Sequence, residues 1–161
     1  MYRVVRSVYL DMAHRIRGHA GKCVNVHGHT WKVEVCLSSN ELDEQNMVMD
    51  FGEVDELLLR PLEEEFDHCW LIGKGDVTDM QNGNLFKELC LVLGSSLKIA
   101  RLPIEATAET LSKYFYDRFC NALDSEGKRG VDVVYVRVYE KLHPKESYAE
   151  YSSNRPEHTC V

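Results

Sequence analysis

Two histidines separated by a single glycine, His27-Gly28-His29, stand at the entrance to an alternating stretch from Thr30 to Leu37. Positions two apart on a β-strand point to the same side, so this spacing presents two imidazoles on one face, half of a metal site. The glycine between them lets the backbone approach a ligand closely. A third donor must come from elsewhere, and His14, at the end of the valine- and tyrosine-rich segment 3–13, is the candidate. Three imidazoles with an open position describe a catalytic zinc rather than a structural one. Three unrelated surface histidines account for the same residues equally well at this level.

Three further sets of residues carry chemistry of their own. Cys23 lies four residues before His27. A thiol beside a divalent cation acidifies and can serve as base or nucleophile; a plain loop or core cysteine is the alternative. Asp67-His68 has the composition of an aspartate holding an imidazole in one tautomer, although the same pair also suits a helix C-terminus. Glu140 ends an apolar run, where a carboxylate can accept the paired N–H donors of an amino-pyrimidinone ring edge. An exposed strand terminus is its simpler reading, and Glu109 equally suits the positive end of a helix.

The elements that must position these residues follow from periodicity. Segment 3–13 and Thr30 to Leu37 read as strands, with a loop around Gly18 and Gly21 between them. Val48-Met49 reads as a short strand end, and Asp50 as the cap of a helix over 51–66. Val54, Leu57, Leu58, Leu62 and Phe66 keep helical spacing there, and Pro61 predicts a kink or division. Residues 71–103 carry the weakest pattern, with a short helix over Phe86 to Leu93 and a short strand over Lys98 to Leu102. Thr107 caps a second long helix through Leu123, with Ala108, Leu111, Phe115, Phe119 and Ala122 on one stripe. A glycine turn over 124–130 leads to a β-branched strand from Val131 to Glu140, and the tail after Tyr151 reads as loosely ordered. Strands with helices on one face make an α+β layer. Its exposed strand edges predict oligomerisation.

Composition sets the outer bounds. The chain has 161 residues, 44% hydrophobic and 28% charged, in keeping with one soluble domain over 1–161. Its 19 basic and 26 acidic side chains give a net charge of −7, which argues against nucleic acid as the main partner. There is no apolar run of membrane-spanning length, and charges stand where a leader peptide needs an apolar stretch, so a cytoplasmic protein is expected. Six cysteines without CxxC spacing are expected to be free thiols, most of them small buried hydrophobes.

Taken in order, the motifs resemble one family. They are Asp11-Met12-Ala13-His14-Arg15, Gly21-Lys22-Cys23, His27-Gly28-His29, Val48-Met49-Asp50-Phe51, Phe66-Asp67-His68, Thr107-Ala108-Glu109, and Glu140 with Ala149-Glu150-Tyr151. Over residues 4 to 151 the chain is similar to the 6-pyruvoyl-tetrahydropterin synthase / 6-carboxytetrahydropterin synthase family. The resemblance implies the tunnelling fold, a four-stranded antiparallel sheet with two helices on one face, assembled as two trimers stacked into a homo-hexamer with active sites between subunits. It implies zinc on His14, His27 and His29, with Cys23 as catalytic base and Asp67 and His68 as a second acid–base element. Glu140 would anchor the pterin ring and share in proton transfer, and Thr107, Ala108 and Glu109 would line the pterin pocket.

The implied substrate is 7,8-dihydroneopterin triphosphate. One branch of the family releases acetaldehyde and 6-carboxytetrahydropterin, a queuosine precursor, and the other stops at 6-pyruvoyl-tetrahydropterin. The cysteine fits both. Ala106 and Lys141 depart from the family pattern, and the connection from Gly73 to Pro103 is long. Arg15, Lys22, Lys74 and Arg101 are the basic candidates for the triphosphate. A pterin-binding protein without catalysis, or a metal-binding assembly protein, would have no need for a base and a proton relay beside an open metal position.

Overall fold

The two N-terminal alternating segments form one long antiparallel hairpin. In the computed structural model, which describes residues 1–76 and 97–153, β1 (Tyr2–His14) and β2 (His27–Ser39) pair from Tyr2↔Ser39 to His14↔His27. Both strands extend past the ranges read from the sequence. His27 and His29 therefore lie inside β2 rather than ahead of it.

Asp50 caps the first helix, α1, over residues 51–66, its Oδ1 accepting the N–H groups of Gly52 (2.8 Å) and Glu53 (3.2 Å). The preceding Val48-Met49 is buried but unpaired loop, which corrects the expected strand end. Pro61 does not divide α1. Phe51–Val54 and Arg60–Phe66 are α-helical, and Asp55–Leu59 between them is a π-helical turn in which the Arg60 N–H reaches back to the Asp55 carbonyl. Proline lacks an N–H and crowds the carbonyl four residues earlier, and the wider turn relieves both problems without a break.

The expected four-stranded antiparallel sheet is a six-stranded mixed sheet, ordered β4-β3-β1-β2-β5-β6. β3 (Cys69–Ile72) runs parallel to β1, and β4 (Ile99–Arg101) runs parallel to β3. β3 is a short, fully apolar run with no alternation to announce it. β5 (Asp132–Lys141) lies antiparallel to β2, and β6 (Ser147–Tyr151), also absent from the sequence reading, is antiparallel to β5. The antiparallel part, β1-β2-β5-β6, is thus extended by two short parallel strands. The second helix, α2 (Ala108–Ser125), begins at Thr107, whose hydroxyl exchanges hydrogen bonds with Thr110 in a capping box. The short helix expected over 86–93 and the tail beyond 153 lie outside the described residues.

Both helices cover one sheet face. Leu10, Met12, Trp31, Val33, Val35, Val136 and Val138 from the strands meet Val54, Leu58, Leu62 and Phe66 of α1 and Leu111, Phe115 and Phe119 of α2. The Phe66 and Phe115 rings meet edge to face at 5.4 Å, an arrangement aromatic rings favour. The opposite face is polar. Glu34 is buried there beside Lys32 Nζ (2.9 Å) and Arg137 Nη1 (3.3 Å). Of the cysteines, Cys23, Cys36, Cys69 and Cys120 are free thiols, and the middle two are buried.

Candidate metal centre and adjoining cavity

The hairpin register brings three histidines together. His14 stands directly opposite His27, and His29, two residues further along β2, is opposite Met12. All three point to the helix-covered face, where Trp31 closes the group from below with its ring 4.9 Å from His14 and 5.6 Å from His29. The imidazole centroids lie 4.6 to 5.4 Å apart.

Backbone carbonyls fix the tautomers of two rings. His14 Nδ1 donates to the Ala106 carbonyl (2.7 Å) and His27 Nδ1 to the Asn25 carbonyl (2.8 Å). Each ring thereby turns its Nε2 toward the group, the arrangement that metal-binding histidines adopt. Gly28 is not demanded by space: a Cβ there would meet nothing nearer than the Met12 carbonyl at 3.7 Å.

Glu140 completes the group. Ligand atoms of His14, His27, His29 and Glu140 all lie within 4.8 Å of one another. Glu140 Oε1 is 3.2 Å from His14 Nε2 and 3.4 Å from His29 Nε2, yet neither buried nitrogen makes a formed hydrogen bond. A lone pair facing a carboxylate oxygen in a buried setting is costly unless a cation stands between them. Burial is the main cause that pushes His29 below its ordinary pKa, with His14 and His27 adding to it against Glu140. The His14 ring, ahead of the opposing effect of burial, holds the Glu140 carboxyl below its ordinary range. A lowered His29 pKa and an ionised Glu140 carboxylate both suit a divalent cation. The donor set fits such an ion.

Alternation along β5 puts Glu140 on the face of the core residues Val136 and Val138. The β5–β6 register shifts between Tyr139 and Lys141, so Glu140 sits at a bulge, a feature common beside sites. It also lines a cavity of about 220 Å³ with Thr107, Ala108, Glu109, Ile16, Ser147, Tyr148 and Ala149. The four residues expected to meet substrate are thus neighbours around one space. Ala106 links the two sites, because its carbonyl holds His14 while the next three residues form the cavity wall. The departure at this position touches only a side chain, and the contact it makes uses the main chain.

The remaining candidates lie apart from this group. Cys23 sits half-buried in a 3₁₀ turn, Lys22–Val24, tied to the end of β1 by the Ile16 N–H donating to the Cys23 carbonyl (2.7 Å). Asp67 and His68 do touch, with His68 Nδ1 2.7 Å from Asp67 Oδ2. They gather at Asp11, on the face of β1 opposite His14. One protomer therefore does not join the Asp67–His68 pair to the three histidines. Of the basic candidates, Arg15 is engaged by buried Asp76, at 3.0 Å through Nε. Sequence reasoning did not assign Ala106, Asn25, Ile16, Ser147 or Tyr148 to the site. Main-chain acceptors have no residue-type signature, and β6 is too short to read.

Residues 3–154 match the family model described as 6-pyruvoyl tetrahydropterin synthase. Over 130 residues the chain is 41% identical to a 6-carboxy-5,6,7,8-tetrahydropterin synthase of Aquifex aeolicus, covering 80% of this chain and 76% of that one. It is 27% identical over 121 residues to the protein of the same name from Haemophilus influenzae, covering 73% and 82%. Among solved structures it is similar to an uncharacterised protein of Wolinella succinogenes, with TM-score 0.74, 20% identity and coverage of 95% and 98%. A 6-pyruvoyl tetrahydropterin synthase of Plasmodium vivax shares the fold at TM-score 0.59 and 15% identity, with coverage of 95% and 100%.

Proposed function

Because the chain belongs to the 6-pyruvoyl tetrahydropterin synthase family, we propose that it is a zinc-dependent lyase. It converts 7,8-dihydroneopterin triphosphate to 6-carboxy-5,6,7,8-tetrahydropterin, with release of acetaldehyde and triphosphate. One observation carries the reading: Glu140 both closes the histidine group and lines the neighbouring cavity, so a single carboxylate spans a metal position and a ring position. The names of the relatives from Aquifex aeolicus and Haemophilus influenzae support the carboxy product.

His14, His27 and His29 hold the ion through one nitrogen each, and an imidazole set of this kind suits zinc. Bound zinc supplies Lewis acidity, which makes the hydroxyls and adjoining C–H groups of the substrate side chain more acidic. Glu140 accepts the N–H pair at the pterin edge, and Thr107, Ala108 and Glu109 form the wall that orients the ring. Cys23 removes a proton from the side chain, and His68, oriented by Asp67, moves protons on the opposite side. Since His68 lies on the other face of β1 from His14, a neighbouring subunit supplies it in a homo-hexamer of two stacked trimers.

The metal requirement is tested by stripping the protein with a chelator and following triphosphate release with and without added zinc. Release only after zinc is restored is expected; full release from metal-free protein would overturn the proposal. A second reading, formation of 6-pyruvoyl-tetrahydropterin, is favoured by the name of the family itself. It uses the same residues, with the proton transfers ending before the side chain is cleaved.

A further inference from the structure

The segment leading into α2 is anchored as far as Glu105. The Leu102 N–H donates to the Ile72 carbonyl (2.9 Å), the Lys74 N–H to the Ile104 carbonyl (2.8 Å) and the Gly75 N–H to Glu105 Oε1 (2.9 Å). These bonds end one residue short of the contact that matters to the metal centre. His14 is fully buried, and its Nδ1 lies 2.7 Å from the Ala106 carbonyl oxygen. That carbonyl shares a rigid plane with the Thr107 N–H. Whatever holds the Thr107 N–H therefore also aims the Ala106 oxygen.

The holder is Thr110, one residue past the Thr107-Ala108-Glu109 wall of the cavity. Its Oγ1 accepts the Thr107 N–H at 3.3 Å, and its hydroxyl donates back to the Glu105 carbonyl. In return Thr107 Oγ1 accepts the Thr110 N–H at 3.4 Å. Donors thus run one way through the peptide plane: imidazole to Ala106 carbonyl, then Thr107 N–H to Thr110 hydroxyl to Glu105 carbonyl. Bonds in such a chain strengthen one another. A hydroxyl suits this place because it accepts and donates at once. The carboxylate more usual there in a capping box only accepts, and would face the Glu105 carbonyl without a proton.

We propose that Thr110 is a positioning residue for the metal centre: its hydroxyl fixes the Ala106–Thr107 peptide unit that orients His14. The inference rests on the reading that His14 ligates the ion. The full chain is titrated with zinc against a chromophoric chelator. Thr110→Val keeps the shape without the hydroxyl and should bind zinc about tenfold more weakly. Thr110→Ala repeats the test in a variant that gains helix propensity as it loses the hydroxyl. Thr110→Ser restores the hydroxyl and should bind zinc as the wild type does. Unfolding midpoints of the metal-free proteins separate positioning from capping. Lower midpoints with wild-type zinc affinity in Thr110→Val and Thr110→Ala would reduce the hydroxyl to a helix cap and overturn the proposal. A Thr110→Ser variant as weak as Thr110→Val would overturn it too. Wild-type zinc affinity in His14→Ala would instead remove the ligand reading, and the role of Thr110 with it.

Discussion

His14 and His27 donate their Nδ1 protons to main-chain carbonyls, so both rings are oriented with Nε2 toward the group before any ion arrives. A pre-set orientation of this kind raises metal affinity by removing an ordering cost. His29 supplies the third donor, and its substitution is the cleanest test: His29→Ala should no longer carry stoichiometric zinc by atomic emission, and full zinc content would refute its role as a ligand. Cys23 carries the complementary test. Cys23→Ala should keep zinc and pterin binding while turnover falls about 10²-fold or more; turnover at the wild-type rate would mean that another group is the base. At this scale the sequence was informative about which side chains converge, although Cys23, Asp67 and His68 stand outside the histidine group in one chain. The His-x-His spacing and His14 converge as expected, and Thr107, Ala108, Glu109 and Glu140 share a cavity. The carbonyls of Ala106 and Asn25 were illegible, because every residue carries one.

Among the elements, alternation revealed the hairpin because one face is buried and the other polar, which leaves a period of two. The same rule explains the misses. β3 is apolar along its length and has no period, and β6 is a five-residue edge strand. Pro61 was legible as an irregularity but not as its form, since widening by a π turn depends on the packing around it. β3 also carries a pH-sensitive group. Burial pushes the Cys69 thiol up to about 11 from an ordinary value of 9.0. A raised thiol pKa means that the folded state binds the proton more tightly than the unfolded one. Its stabilising effect is therefore full below pH 9 and is lost as pH rises through 11. Thermal midpoints measured from pH 8 to 11 should fall less steeply in Cys69→Ala than in the wild type; parallel curves would contradict the assignment.

Across the whole molecule, the residues with chemical roles divide between two faces of one strand. His14 faces the helices, and Asp11 with Asp67 and His68 gathers on the other side. No length of α1 or α2 alters that, because alternation along β1 enforces it. A complete site in the proposed mechanism needs a second copy of the chain, and the short outer strands β4 and β6 leave sheet edges through which copies can join. Sedimentation equilibrium should accordingly give a six-chain particle; a fully active monomer would contradict the shared site. Oligomerisation was expected from the exposed strand edges, whereas a site shared between subunits was expected only through the family resemblance, since nothing in a strand's own pattern says what faces it from outside.

The most direct test of the central claim is mass spectrometry of the products formed when zinc-loaded protein meets 7,8-dihydroneopterin triphosphate. Acetaldehyde and 6-carboxy-5,6,7,8-tetrahydropterin are the predicted products. Accumulated 6-pyruvoyl-tetrahydropterin would contradict the assigned product and move the chain to the other branch. Unchanged substrate beside folded, zinc-bound protein would contradict the lyase itself.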